Sequence, residues 1–194
     1  MSEQLLKTRL CEIKPNHMAR YKWAVKEIAK RVPAGGAVLD ACCGVGYGSL
    51  MLSHAGYTVD CVDRSPQAAA LQRIYFNNGH IRFLEGDAFE VPLRDHYDAI
   101  VSIETIEHLE DDKRWIERLS SRTHLLIGTV PNERVVPFAT ANNQWHFRHY
   151  TREEFEALMP WKKTFYTQYD KWDPEKAAMR PGDDGMTLGV VCEC

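Results

Sequence analysis

Val38-Leu39-Asp40-Ala41-Cys42-Cys43-Gly44-Val45-Gly46-Tyr47-Gly48-Ser49 decides the fold. A short apolar run gives way to a tight glycine turn, and the turn opens a helix-forming stretch. Such a turn brings backbone N–H groups close to a ligand at the carboxyl edge of a sheet. The glycines stand at alternate positions, Gly44, Gly46 and Gly48, which is not the GxGxxG dinucleotide spacing. No GK[ST] follows, so the P-loop fingerprint is also unmet. The strand ends instead in an acid, Asp40, which repels a pyrophosphate but suits a ligand carrying an ammonium group.

Two more acids extend the pattern outward. Asp63, in Cys61-Val62-Asp63-Arg64, closes the next strand about 20 residues after the turn, where a ribose-diol acceptor sits in nucleoside-binding α/β folds. Asp87 follows the run Ile81 to Leu84 in Gly86-Asp87-Ala88-Phe89, well placed for an adenine amino group. A single aspartate is usually a solvated loop residue or a helix cap. Three at successive strand ends beside a glycine turn read as one crevice.

The rest of the chain keeps the alternation. Strand-length apolar runs at Ala37 to Leu39, Tyr57 to Val62, Ile81 to Leu84, Tyr97 to Ile103 and His124 to Val130 are separated by helix-period stretches. Those stretches cover Asn16 to Arg31, Tyr47 to His54, Ser65 to Asn77 and Glu110 to Ser120, with Ser65 as N-cap and Pro66 at the first helical position. The expectation is an α/β fold with a Rossmann-like, mostly parallel sheet and helices on both faces. In the last third, Pro131 to Asn143 reads as a loop. Thr151-Arg152-Glu153-Glu154 is a capping box opening a helix through Met159. Trp161 to Tyr169 and Met186 to Cys192 alternate as an antiparallel hairpin on the sheet edge, with Arg180 to Gly185 as the loop between them.

Composition sets the frame. The chain has 194 residues, 44% hydrophobic, which suits a single domain with a full core. No apolar run approaches the ~20 residues needed to span a bilayer, and Met1-Ser2-Glu3-Gln4 lacks the basic and apolar regions of a signal peptide. A cytoplasmic protein without membrane contact is expected. The six cysteines form no paired CxxC knuckle, so reduced thiols are expected in place of a structural zinc. A net charge of −3 advertises no nucleic-acid or anionic-membrane partner.

With these pieces assembled, the sequence resembles a class I S-adenosylmethionine (SAM)-dependent methyltransferase. The likeness runs from Asn16-His17-Met18-Ala19-Arg20-Tyr21 to about Met159. It rests on the glycine turn, Val62-Asp63-Arg64-Ser65-Pro66, Gly86-Asp87-Ala88, and Asp98 to Leu109 with the core Ser102-Ile103-Glu104-Thr105-Ile106-Glu107-His108, completed by Pro131-Asn132 and His146 to Phe155. It is similar above all to bacterial small-molecule methyltransferases associated with glycan synthesis. The same pieces occur in ubiquinone-pathway O-methyltransferases and small-RNA ribose methyltransferases. Cys42 departs from the pattern, because the family often has glycine there. The resemblance implies that Gly44 and Gly46 line the cofactor backbone and that Asp40 positions its methionine end. By the same likeness Asp63 holds the ribose hydroxyls, Arg64 lies beside the adenine, and Asp87 and Ala88 read the adenine edge. Tyr21 and Tyr47 are weaker candidates for covering it.

Glu104, Glu107 and His108 follow the fourth strand. At offsets of three and four, one helical turn would put all three on one face. Such a set fits Mg²⁺, Mn²⁺ or Zn²⁺, with His146 completing the shell from the later loop. The resemblance to metal-dependent ribose methyltransferases supports it, since there a later histidine stands five residues before a helix-starting threonine, as His146 stands before Thr151. A metal would lower the pKa of an acceptor hydroxyl and fix its direction. Without one, Glu107 and His108 remain the catalytic candidates, with His108 or His149 as general base.

Trp145-His146-Phe147-Arg148-His149-Tyr150 reads as an acceptor-site wall. The basic residues between Lys14 and Arg31 read as a solvated helix face. Residues 1–194 thus form one methyltransferase domain: a helical cap over 1–35, a cofactor-binding core over 36–130, and an acceptor-side loop, helix and hairpin over 131–194. The expected function is SAM-dependent methylation of a hydroxyl on a small molecule (a sugar, glycan precursor or small aromatic). The alternatives are a metal-dependent RNA ribose 2′-O-methyltransferase, which the absence of a basic excess disfavours, and a non-catalytic SAM-binding module. The identity of the acceptor and the oligomeric state leave no mark in the sequence.

Overall fold

The computed structural model describes residues 7, 9–141, 143–169, 173 and 176–194, so the first residues of the expected N-terminal cap lie outside it. After a short 3-10 turn over Leu10–Glu12, helix α1 spans Pro15–Ala29 and starts with proline at its first position. Strand β1 (Ala37–Ala41) leads through the glycine turn into α2 (Tyr47–His54). Then follow β2 (Thr58–Asp63), α3 (Pro66–Tyr75), β3 (Ile81–Glu85), β4 (Ala99–Ile103), α4 (Asp112–Ser120) and β5 (Leu125–Pro131). The chain closes with α5 (Arg152–Leu158), β6 (Lys162–Gln168), the two-residue β7 (Arg180–Pro181) and β8 (Thr187–Glu193).

The sheet order is β3-β2-β1-β4-β5-β8-β6-β7. Strands β1 to β5 pair in parallel, and β8 pairs antiparallel with both β5 and β6. The chain winds outward from β1 to β3, then returns to the other side of β1 at β4. This reversal opens a crevice at the carboxyl ends of β1 and β4. Successive residues of the central strands face opposite layers, and both layers are buried. Val38, Val101 and Ile127 pack with Tyr21, Ala24, Ile28 and Leu52 on one side. Leu39, Ile100 and Leu126 pack with Trp115, Leu119 and Phe155 on the other.

The capping signals hold as read. Ser65 Oγ accepts from Ala68 N (3.2 Å), and the Thr151–Glu154 box is reciprocal, at 3.2 and 2.9 Å. The expected antiparallel pair forms at the sheet edge, with β8 inside, between β5 and β6. Some details differ. Arg180 to Gly185 is not all loop, because Arg180–Pro181 adds a short strand against Tyr166 and Thr167. Tyr97 precedes β4, and its hydroxyl instead donates to Asp60 (2.8 Å), a fully buried carboxylate that also takes Arg82 and Arg94. Burial alone would raise the Asp60 pKa; the hydrogen bonds from Arg82, Arg94 and Tyr97 outweigh it and hold the acid below its usual range. The six thiols form no disulfide, and no helix among the described residues is long and apolar enough to cross a membrane.

Gly48 shows how tightly α1 and α2 meet. A Cβ there would stand 2.1 Å from the Tyr21 ring. Gly48→Ala must displace that ring and its hydroxyl from Asp40, and is expected to cost about 2–3 kcal/mol in urea unfolding. A midpoint equal to that of the unsubstituted protein would contradict this packing.

Candidate active site and cofactor cleft

A cavity of about 540 Å³ occupies the crevice above β1 and β4. Its floor is the glycine turn. Cys42, Gly44 and Gly46 all take left-handed backbone conformations, with φ of 63°, 57° and 88°. For Cys42 this costs about 1–2 kcal/mol in an L residue, which gives a physical reason for the glycine of the family pattern. Asp63 braces the turn: its carboxylate accepts from Gly44 N and Ser65 N, both at 2.9 Å. Asp63 also stands on the cavity wall, where ligand hydroxyls would meet it. Arg64, Asp87, Ala88 and Tyr47 also line the cavity. Asp87 is exposed and caps its own turn, accepting from Phe89 N at 2.8 Å.

Two expected cofactor contacts lie behind the wall. Asp40 is fully buried, taking the Tyr21 hydroxyl at 2.9 Å and the Ser49 hydroxyl at 2.6 Å. Burial raises its pKa to about 6, against those hydrogen bonds. It acts on the cavity through its charge and by locking Tyr21, which does reach the wall. Gly46 caps α2 from below, with the Gln72 side chain 2.6 Å from where its Cβ would be. The sequence reading missed His17, a wall residue whose Nδ1 is 3.3 Å from the Tyr47 hydroxyl. Burial, helped by Arg20, lowers its pKa to about 4 and keeps it neutral. The signal was present, for His17 stands one helical turn before Tyr21 on the same face.

On the acceptor side the expected helical turn does not form. Glu104 takes a left-handed φ of 48°, and only Ile106–His108 form a 3-10 turn. Glu104 is drawn toward α1 and β5 by an ion pair with Arg20 (3.1 Å) and the Thr129 hydroxyl (3.0 Å). It therefore leaves the proposed ligand set, while Glu107, His108 and His146 stay together with donor atoms all within 4.8 Å. Glu107 is fully buried. His108 reaches the cavity wall, with its Nδ1 3.1 Å from the Trp145 carbonyl. A carbonyl only accepts, so Nδ1 carries the proton and Nε2 presents a lone pair. His149 is buried behind His146 and is not a wall residue. In the aromatic segment Trp145 and Phe147 line the cavity, whereas Arg148 and Tyr150 turn away to Asp112, at 3.1 and 2.8 Å.

Comparison with known proteins agrees with this geometry. Residues 38–124 match the family described as a methyltransferase domain. A probable S-adenosylmethionine-dependent methyltransferase of Mycobacterium tuberculosis (strain H37Rv) is 28% identical over 148 residues, covering 72% of this chain and 52% of its own. The chain thus spans about half the length of the curated relatives it matches. Among solved structures, the small RNA methyltransferase HEN1 superposes with a TM-score of 0.70 at 20% identity, over 90% of this chain and 25% of that one. The magnesium protoporphyrin IX methyltransferase of Synechocystis PCC 6803, solved with bound SAM, gives 0.66 at 19% identity, over 92% and 80%. These likenesses at low identity speak to the fold. The family match over residues 38–124 and the curated relatives together support a class I SAM-dependent methyltransferase.

The cleft fits SAM. Its wall carries Asp63, Asp87, Glu104 and Glu110 against the single arginine Arg64, a field suited to a sulfonium cation. Because Asp40 titrates near pH 6, binding of that cation favours its ionised form. Affinity for SAM is expected to strengthen as pH rises between about 5 and 7 and to lose this dependence in Asp40→Asn. Calorimetry on both proteins reads it directly, and an unchanged slope in the variant would assign the titration to another group.

Proposed function

We propose that the protein methylates a hydroxyl of a small molecule, with Glu107, His108 and His146 holding a divalent transition-metal ion beside the acceptor. The observation that carries this reading is a carboxylate and two imidazoles gathered within 4.8 Å at the edge of the cofactor cleft. Imidazole donors suit Mn²⁺, Zn²⁺ or Fe²⁺ better than Mg²⁺, which prefers oxygen ligands. SAM supplies the methyl group on a positively charged sulfur. A bound cation would lower the pKa of the acceptor hydroxyl and fix its direction.

The chain's own part is positioning. Trp145 and Phe147 offer apolar faces to a sugar or aromatic ring. The surrounding charge favours a neutral acceptor: among the described wall residues the one arginine is Arg64, at the end of β2, and Arg148 is engaged by Asp112 and the Glu110 carbonyl. A second reading rests on His108 being the member of the cluster on the wall. With no cation bound, its Nε2 lone pair can take the hydroxyl proton directly.

Calorimetric titration of chelator-treated protein separates these cases. SAM should bind, and Mn²⁺ or Zn²⁺ should fill one site that Glu107→Ala and His146→Ala lose while SAM affinity stays unchanged. Turnover on vicinal diols (sugars, catechols and ribonucleosides tested side by side) should fall by ~100-fold or more in both variants. Full turnover without cation, abolished by His108→Ala, would establish the general-base reading. No binding of SAM would overturn both.

A further inference from the structure

His149, buried behind His146, sits in a chain of hydrogen bonds with a defined direction. Its Nδ1 lies 2.6 Å from the Val136 carbonyl, and its Nε2 lies 2.7 Å from Nδ1 of His146. The carbonyl can only accept, so His149 carries its proton on Nδ1 and has a lone pair on Nε2. His146 must then donate from Nδ1, which leaves its own lone pair on Nε2. At that atom the Asn143 amide approaches to 2.6 Å. The edge of the Phe138 ring packs on His149, and the His146 and His108 rings meet edge to face at 4.5 Å between centroids.

We propose that His149 is a positioning residue that fixes the tautomer and orientation of His146, so that the Nε2 lone pair of His146, which takes the Asn143 amide in this structure, can pass to a cation shared with Glu107 and His108. The inference rests on the cation-binding reading of that cluster. His108 is set the same way by the Trp145 carbonyl, so both imidazoles offer Nε2, each with its Nδ1–H spent on a protein acceptor. Partners of this kind, behind a ligating imidazole, hold its ring direction and raise its basicity. The arrangement is economical in chain length: the Val136 carbonyl, His146 and His149 all come from the single connection between β5 and α5.

Two readouts on purified protein test this. In ¹⁵N-resolved imidazole NMR of the chelator-treated protein, His146 should be the Nδ1–H tautomer, and His149→Ala should shift it toward Nε2–H. In calorimetry with Mn²⁺ or Zn²⁺ alone, His149→Ala should weaken binding by about 10–100-fold while SAM affinity holds. His149→Gln, whose side-chain oxygen can still accept near the Nε2 position, should recover most of the loss, which a role in packing alone would not predict. A cation affinity in His149→Ala equal to that of the unsubstituted protein overturns the proposal, as does an Nε2–H tautomer for His146 at the outset. A protein that binds no cation overturns the metal reading of the cluster, and the tautomer shift then decides separately whether His149 sets His146.

Discussion

Everything in the cleft depends on one buried carboxylate. Asp40 ends the central strand with no exposure to solvent, and its two oxygens are met by hydroxyls from two different helices, Tyr21 of α1 and Ser49 of α2. A buried acid with only neutral donors is an expensive arrangement in a low-dielectric interior, and its raised pKa records that expense. What it secures is position. The Tyr21 ring is pressed onto Gly48, where no side chain could stand, and α1 is thereby held over the glycine turn. Ionised, Asp40 also adds negative charge beneath a cleft built to receive a cation.

Asp63 does for the turn what Asp40 does for the helices. Without its bonds to Gly44 N and Ser65 N, the run from Cys42 to Gly46 would have to hold three left-handed residues on turn hydrogen bonds alone. The strain at Cys42 is tolerated because the flanking segments over-determine the turn: Cys43 N bonds to Val62 O on β2, and Gly46 N closes back on Cys43 O. The acid expected to meet ribose hydroxyls is therefore also a structural brace, so a substitution there would disturb two properties together.

The sequence made the core legible because its signals were local. Alternating strand and helix periods, Ser65 and Thr151 as caps, and acids at three strand ends each depend on residues a few positions apart. What escaped depends on distant partners. Glu104 was placed with Glu107 and His108 by helical spacing, but its backbone is left-handed and its carboxylate belongs to Arg20 of α1 and Thr129 of β5. No pattern within the segment announces an ion pair to the opposite end of the chain. The insertion of β8 between β5 and β6 is equally silent, since periodicity says which residues face the core but not which strand lies beside which. His149 looked like a base because histidine so often is one; only coordinates show that its lone pair is already committed to His146.

The electrostatics of the cleft bear on turnover as well as on binding. In the proposed reaction the positive sulfur becomes a neutral thioether once its methyl group has left. The wall of Asp63, Asp87, Glu104 and Glu110 then loses the charge that it was arranged to attract, with Asp40 beneath it. The same carboxylates that gather the cofactor thus hold the product less tightly, by a difference that grows as water is excluded and local screening falls. Glu104 sits at the hinge of this argument. Its ion pair with Arg20 is half-turned toward the cavity, with a fifth of its side chain exposed, so it contributes to the field while Arg20 restrains how far its carboxylate can follow a ligand. A cleft that drew its attraction from one mobile carboxylate would collapse onto product. Here Asp63 is fixed by backbone amides, Asp87 by its own turn and Glu104 by a buried arginine, and this rigidity lets a change of one unit charge in the ligand be felt as a change in affinity.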